Sequence, residues 1–502
     1  MDARLRAVCD LSVPAAREHA GLHEYDGRLQ DLSADGVRAG LAKLGDGPPL
    51  DDPHDERHLA AFETLLRVSF EVIGDHRRNP LLHMDNLDLA CYDREYAPAE
   101  ERAAARRRHL AAWPDGIAMA LEALDAVPAP VAQALLPAIR GLAAGIDADS
   151  GQVEAAAIAA HQQFVAHIAT AAEHGHPDAA LGADGLARLM GSAESLDVDL
   201  GRLAERADAE RDRLRAMLAE ACSALYPQRS LPDAVAALVA DHPDPDGVLT
   251  EARALTEETI AFTAQHRLVP HTDGECRVGP APESRRWAMA MMSWAAPHED
   301  DGPSWYHVTP PDSSWPAQDQ EEWLAVFSRA TLPAVTAHEV APGHFTHGRS
   351  LRRAPTLVRR TLFSLAFVEG WAHYAEEMCL EEGLRADDPR FAAGVAIEAL
   401  VRVTRLAVAI GLHSGTMTTE EAVQRFVSDA HLQGPAARSE AVRATFDPTY
   451  GRYTWGKLAL MDLRERARAT WGNEFSLLRF HSALMALGSP PLGLLDTALE
   501  RG

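Results

Sequence analysis

The sequence predicts a mainly α-helical chain built as two lobes, and three observations lead there. Leu, Ala and Val recur at three- and four-residue spacing, with Glu, Gln and Arg filling the positions between, which is the period of a helix with one apolar face. Runs with the two-residue alternation of a strand are scarce. A length of 502 residues exceeds what one compact core organises, so two helical lobes are expected. Hydrophobic content of 47% with 24% charged residues excludes a disordered chain, which lacks the apolar surface to offset ordering.

Along the chain, Pro and Gly punctuate the helical pattern at Gly45–Pro49, Pro114–Gly116, Pro128–Pro137, Pro227–Pro232, His242–Gly247 and Gly274–Pro282. Thr418-Thr419-Glu420-Glu421 is a capping-box pattern that opens a helix. There is no internal repeat and no long Gly/Ser linker. The boundary is set near residue 270, where a Trp-, Pro- and His-rich region begins, giving lobes of residues 1–270 and 271–502 that can interleave. Pro303-Ser304-Trp305-Tyr306-His307-Val308-Thr309-Pro310-Pro311, aromatic and β-branched between prolines, reads as a short edge strand beside a cleft. Its free backbone groups would pair with an extended peptide.

Asp and Glu number 74 against 48 Lys and Arg, and the formal charge of −26 repels a phosphate backbone, which excludes nucleic acid as a partner. Lys43 and Lys457 are the only lysines, so 46 of the basic residues are arginine. The first residues lack the apolar stretch of about 7 to 15 that a secretory signal needs, so the expected compartment is the cytoplasm. The longest charge-free stretch, Ala155–Ala172, is broken by His161, Gln162, Gln163 and His167, and no membrane span is expected. Five scattered cysteines without a CxxC spacing imply neither a disulfide frame nor a thiolate metal site.

The chemistry concentrates in Thr336-Ala337-His338-Glu339-Val340-Ala341-Pro342-Gly343-His344-Phe345-Thr346-His347. In an HExxH motif two His residues four apart share a helix face, and the Glu lies near metal-activated water. Here the spacing is six, which on a regular helix turns the second imidazole about 240° away from the first. Pro342 and Gly343 supply a remedy, because neither sustains a regular helix, and a two-residue bulge would return His344 to the ligand position. Downstream, Phe367–Glu377 reads as a helix carrying Glu369, His373 and Glu376 on one stripe, and Glu369 offers a third ligand from an apolar neighbourhood. A third cluster, Asp447–Lys457, brings Tyr453 in a Pro- and Gly-containing segment, followed by Arg464, and phenol and guanidinium donors suit an oxyanion or a carboxylate.

Taken in order, His338-Glu339-x-x-Pro342-Gly343-His344, Glu369-Gly370-Trp371-Ala372-x-Tyr374-Ala375-Glu376, Tyr453-x-x-Gly456-Lys457 with Arg464, Phe480-His481 and Gly488-Ser489-Pro490-Pro491-Leu492 resemble the bacterial domain-of-unknown-function family 885. The resemblance runs from Tyr25-Asp26-Gly27 to the C-terminal segment. It implies a zincin-like metallohydrolase of the Glu-zincin type, distantly similar to thimet oligopeptidase and carboxypeptidase Taq, with a helical two-lobed fold around a cleft, a small β-ribbon near the active site, and zinc at its floor. Carried over by position, His338, His344 and Glu369 would hold one Zn2+, Glu339 would act as general base and Tyr453 as oxyanion donor. This chain has Phe345 where many relatives have a second His, with His347 two residues later.

The expected activity is zinc-dependent cleavage of peptide (amide) bonds in short peptides, with His347, His373, Arg464, His481 and Tyr306 as candidate substrate-binding residues. Two alternatives stand beside it: a metal-dependent hydrolase or tailoring enzyme acting on a non-peptide metabolite, and a catalytically silent binding protein on the same fold.

Overall fold

Many of the helices start where the sequence supplies a capping side chain, often with proline in the first turn, whose missing N–H is not needed there. Asp52 caps α1 (Pro53–Arg67), Asp199 caps α2 (Leu200–Leu225) and Asp244 caps α3 (Pro245–Gln265). The computed structural model describes all 502 residues except Glu283, Ser284 and Trp287. Up to residue 265 the described chain is a succession of helices without a strand. Thr418 and Glu421 form the capping box read from the sequence, at the start of helix Thr419–Ala430.

One small sheet interrupts the helices. It consists of β1 (Cys276–Gly279), β2 (Ala290–Ser293) and β3 (Ser304–Val308), in the order β1-β3-β2. The Ser304–Val308 segment is therefore the central strand and not an edge. Tyr306 is paired in parallel register with Val278 and in antiparallel register with Met292. Pro303, Pro310 and Pro311 lie just outside the strand, so they delimit it without interrupting either ladder. The two edges belong to β1 and β2.

The C-terminal half carries α4 (Thr331–Glu339), α5 (His344–Leu351), α6 (Leu365–Glu381), α7 (Pro389–His413), α8 (Gly434–Phe446) and α9 (Arg452–Trp471). Packing crosses residue 270 repeatedly. Leu203, Leu214 and Leu218 of α2 share a core with Leu400, Val403 and Leu406 of α7. Val248, Ala252 and Leu255 of α3 pack with Tyr306 and Val308 of the sheet and with Leu332, Val340 and Phe345. The sheet is thus held between α3 and the helices that carry the His-Glu motif. Among the described residues no helix is long and apolar enough to cross a membrane.

Candidate metal centre

The six-residue spacing of the histidines is resolved by a corner between two helices, not by a bulge within one. Helix α4 ends at Glu339, the chain turns through Val340–Gly343, where the Ala341–Pro342 peptide is cis, and α5 starts at His344. The Gly343 N–H donates to Ala337 O at 3.1 Å, and the Trp371 indole of α6 donates to Pro342 O at 2.9 Å. A Cβ at Gly343 would lie 1.8 Å from the carbonyl oxygen of His338, so only glycine fits this approach. The result is that the His338 and His344 rings stand 4.8 Å apart and perpendicular.

Glu369 completes the group from α6. Its Oε2 lies 3.6 Å from His338 Nε2 and 3.4 Å from His344 Nε2, and the ligand atoms of all three residues lie within 4.8 Å of one another. Tetrahedral bonds of about 2.0–2.1 Å would space neighbouring ligand atoms about 3.3 Å apart, so the donor set fits one zinc ion with a position left open. His338 and His344 are buried while the Glu369 side chain keeps 21% exposure, so the group opens to solvent on the carboxylate side.

The electrostatics suit a cation. Burial opposes charge on Glu369, but the imidazoles of His338 and His344 hold its carboxyl well below the ordinary range. Burial and the Arg402 guanidinium disfavour imidazolium at His338, yet Glu369 and Glu376 outweigh them and raise it to about 9. Oε2 of Glu339 and Nδ1 of His344 are buried without a hydrogen-bond partner. Burial raises the Glu339 carboxyl above its usual value against the pull of His344 and His338. A buried, unpaired carboxylate beside two imidazoles is poised to take a proton.

Behind the ligands, His338 Nδ1 meets Glu376 Oε1 at 2.6 Å, which turns Nε2 toward Glu369. The other Glu376 oxygen lies 3.3 Å from Arg402 Nη1 and 3.5 Å from His373 Nδ1. Tyr453 sits in the first turn of α9 and not in a mobile loop, because α9 begins at Arg452. Its ring stacks on His338 at 6.3 Å, and the guanidinium carbons of Arg402, Arg405 and Arg452 lie 5.9, 5.4 and 5.8 Å from its centroid. Tyr450 is fully buried and donates to Glu440 O of α8 at 3.2 Å. Helices α6 and α9 meet at glycines: a Cβ on Gly370 would lie 2.5 Å from Gly456 Cα, and one on Gly456 would lie 1.9 Å from Ala366 O.

The five candidate substrate-binding residues are buried and are held within the protein, so they pack around the centre and do not line its open side. Tyr306 Oη contacts Thr336 Oγ1 at 3.3 Å, and His347 Nε2 contacts Ser489 Oγ at 3.1 Å. His481 Nδ1 donates to Leu268 O at 2.5 Å and its Nε2 accepts from the Tyr374 hydroxyl at 3.0 Å. Arg464 pairs with Glu381 at 2.6 Å, and His373 lies beside Glu376. Residue type singles these five out in the sequence, and in the structure each is engaged by the protein's own groups. Sequence reasoning passed over Arg402 and Trp294, whose ring lies 6.3 Å from that of His344.

The profile of the family described as "Bacterial protein of unknown function (DUF885)" matches residues 14–499. The chain belongs to DUF885. The ordered motifs that suggested this family are the residues that converge here, His338, Glu339, His344, Glu369 and Tyr453. No curated protein matches the chain. Two solved structures, each described as a "putative lipoprotein", share the DUF885 chain's fold. The one from Shewanella oneidensis is 21% identical, with a TM-score of 0.78 over 100% of this chain and 98% of that one. The one from Colwellia psychrerythraea is 18% identical, with a TM-score of 0.80 over 99% of this chain and 97% of that one. At such identity the likeness is one of fold alone.

Proposed function

We propose that this protein is a zinc-dependent hydrolase that cleaves amide bonds of short peptides. The observation that carries the reading is the meeting of three converging ligand atoms with the unpaired, buried carboxylate of Glu339. A bound Zn2+ would polarise the scissile carbonyl and acidify water. His338, His344 and Glu369 would hold it, with Glu376 fixing the orientation of His338. Glu339 accepts the proton of the attacking water and delivers it to the leaving amine. The Tyr453 phenol, with its proton firmly held because burial and Glu369 raise its pKa, donates a hydrogen bond to the developing oxyanion. The edge strand β2 runs directly into Trp294 beside His344, which favours an extended peptide as substrate.

The proposal includes a cytoplasmic location, in which five free cysteines stay reduced, and cell fractionation tests it against the lipoprotein description of the two structural neighbours. For the activity, the test is elemental analysis of the purified protein joined to a peptide-library digest by wild type and Glu339→Gln. About one zinc per chain is expected in both, as a three-ligand site implies. Cleavage by wild type should fall about 100-fold or more in the variant. Zinc without cleavage of any peptide refutes the peptidase reading and favours a non-peptide substrate; a protein that takes up no metal refutes the hydrolase altogether.

A further inference from the structure

Helix α6 is buried at every position from Leu365 to Cys379 except two, Leu365 and Glu369. These stand four residues apart, so they share one face of the helix and open onto the same solvent space. One is the candidate metal ligand. The other is a leucine with 54% exposure, the largest value among the exposed large hydrophobic side chains. It is not isolated. Phe363, two residues earlier, is half-buried and its ring lies 6.1 Å from Trp294, which is half-buried as well and lies 6.3 Å from the ring of His344. The Trp294 indole is held by a hydrogen bond to His19 O at 3.2 Å. Trp294 and Phe363 thus form an apolar wall that runs from one candidate ligand, His344, to the start of α6, where Leu365 lies two residues on and shares a helix face with the other, Glu369.

We infer that this wall is a specificity subsite that receives an apolar or aromatic side chain flanking the scissile amide. The inference rests on the hydrolase reading above and adds the substrate class to it. Exposed single leucines are ordinary on protein surfaces, but a contiguous apolar wall opening beside a polar catalytic group is the usual form of a small-molecule or side-chain pocket. A substrate side chain seated here would cover Leu365, and the gain in binding would be realised next to the reacting carbonyl.

The test uses the zinc-loaded full-length protein and two metal-chelating probes, leucine hydroxamate and glycine hydroxamate, measured by calorimetry. Leucine hydroxamate should bind about 10- to 100-fold more tightly, the range expected for one apolar side chain in a pocket. In Leu365→Gln this ratio should fall by about tenfold while glycine hydroxamate binds as before. Leu365 is solvent-exposed at the first position of its helix, so the variant should fold. Val427→Gln, which alters another exposed apolar residue on helix Thr419–Ala430, should keep the wild-type ratio. Equal binding of the two probes by wild type, or an unchanged ratio in Leu365→Gln, overturns the subsite. Leucine preference without cleavage of any peptide leaves the subsite standing and overturns the peptidase reading, whereas a protein that takes up no zinc overturns both.

Discussion

Glu376 is the residue whose alteration tests the site without touching a ligand. Its carboxylate receives His338 Nδ1 at 2.6 Å and is fully buried, and burial of its charge is outweighed by Arg402, His373 and His338, which keep it ionised. Glu376→Gln preserves the volume and removes the charge. Loss of such a carboxylate partner weakens metal binding about 10- to 100-fold, or about 1.4 to 2.7 kcal/mol. The same change leaves Arg402 with Glu398 alone, at 3.3 Å. A broken buried pair costs about 3–5 kcal/mol, and the remaining acid puts this one at the low end. Zinc affinity is read by competition with a chromophoric chelator, on protein shown to be folded by circular dichroism and thermal melting. Glu381→Gln, which breaks a partly exposed pair with Arg464, serves as the control with unchanged affinity. A folded Glu376→Gln protein that binds zinc like wild type would show that His338 is oriented by something else, and the account of this carboxylate would fall.

Three other outcomes are expected. Gly343→Ala places a Cβ 1.8 Å from His338 O. It should lower stability by at least the ~1–3 kcal/mol of an overpacked site and weaken zinc binding. A wild-type melting curve and metal content would show that the corner can open. Tyr453→Phe should leave zinc content and melting unchanged and reduce kcat by roughly 10- to 1000-fold. Tyr450→Phe should lose about 1 kcal/mol of stability with its bond to Glu440 and leave kcat alone, and the reverse pattern would exchange their roles. His58, with both ring nitrogens buried and unbonded, is pushed down to about 3 by burial, with His54 and Arg359 adding to the effect. Below its unfolded pKa of about 6.5 the unfolded chain takes up a proton that the folded chain refuses. The stability is therefore complete above about pH 6.5 and is lost as pH falls, by at most about 1.4 kcal/mol per unit. Urea unfolding should show wild type losing stability relative to His58→Phe as pH falls from about 6.5 to about 4; a constant difference contradicts it.

The helical class and the family were legible because each has a local signature, an apolar period and an ordered motif set, and the convergence of His338, His344 and Glu369 follows from the motif order and from a Glu placed among apolar neighbours. What was not legible depended on partners far along the chain. Glu376 was visible on the stripe of Glu369, but its target, His338, lies 38 residues away on another helix. The outer strands read CRVG and AMMS, too short and too poor in β-branched residues to signal pairing, so the central strand was taken for an edge. Gly451 and Gly456 suggested a loop around Tyr453, whereas Gly456 lies inside α9 because a side chain there would strike Ala366 O. Residue type alone drew attention to His347, Arg464 and His481, and their burial against Ser489, Glu381 and Leu268 is a tertiary property.

That same glycine contact ties the helix of the candidate ligand Glu369 to the helix of Tyr453. Gly370 follows the ligand Glu369 directly, and its approach to Gly456 ties α6 to α9 three residues after Tyr453. One residue further, Lys457 is fully buried and bridges Glu377 of α6 at 2.5 Å and Glu210 of α2 at 3.0 Å. In a chain that uses arginine almost everywhere, this is one of only two lysines. Its compact ammonium sits between the two carboxylates beside the glycine contact. Arg213 of α2 pairs with the same two carboxylates, Glu210 at 2.8 Å and Glu377 at 2.7 Å, so the junction is a four-residue set in which each acid has two cationic partners. Glu369, the Tyr453 phenol and the buried ion pairs are consequently borne by one three-helix joint, which fixes the distance between Glu369 and Tyr453.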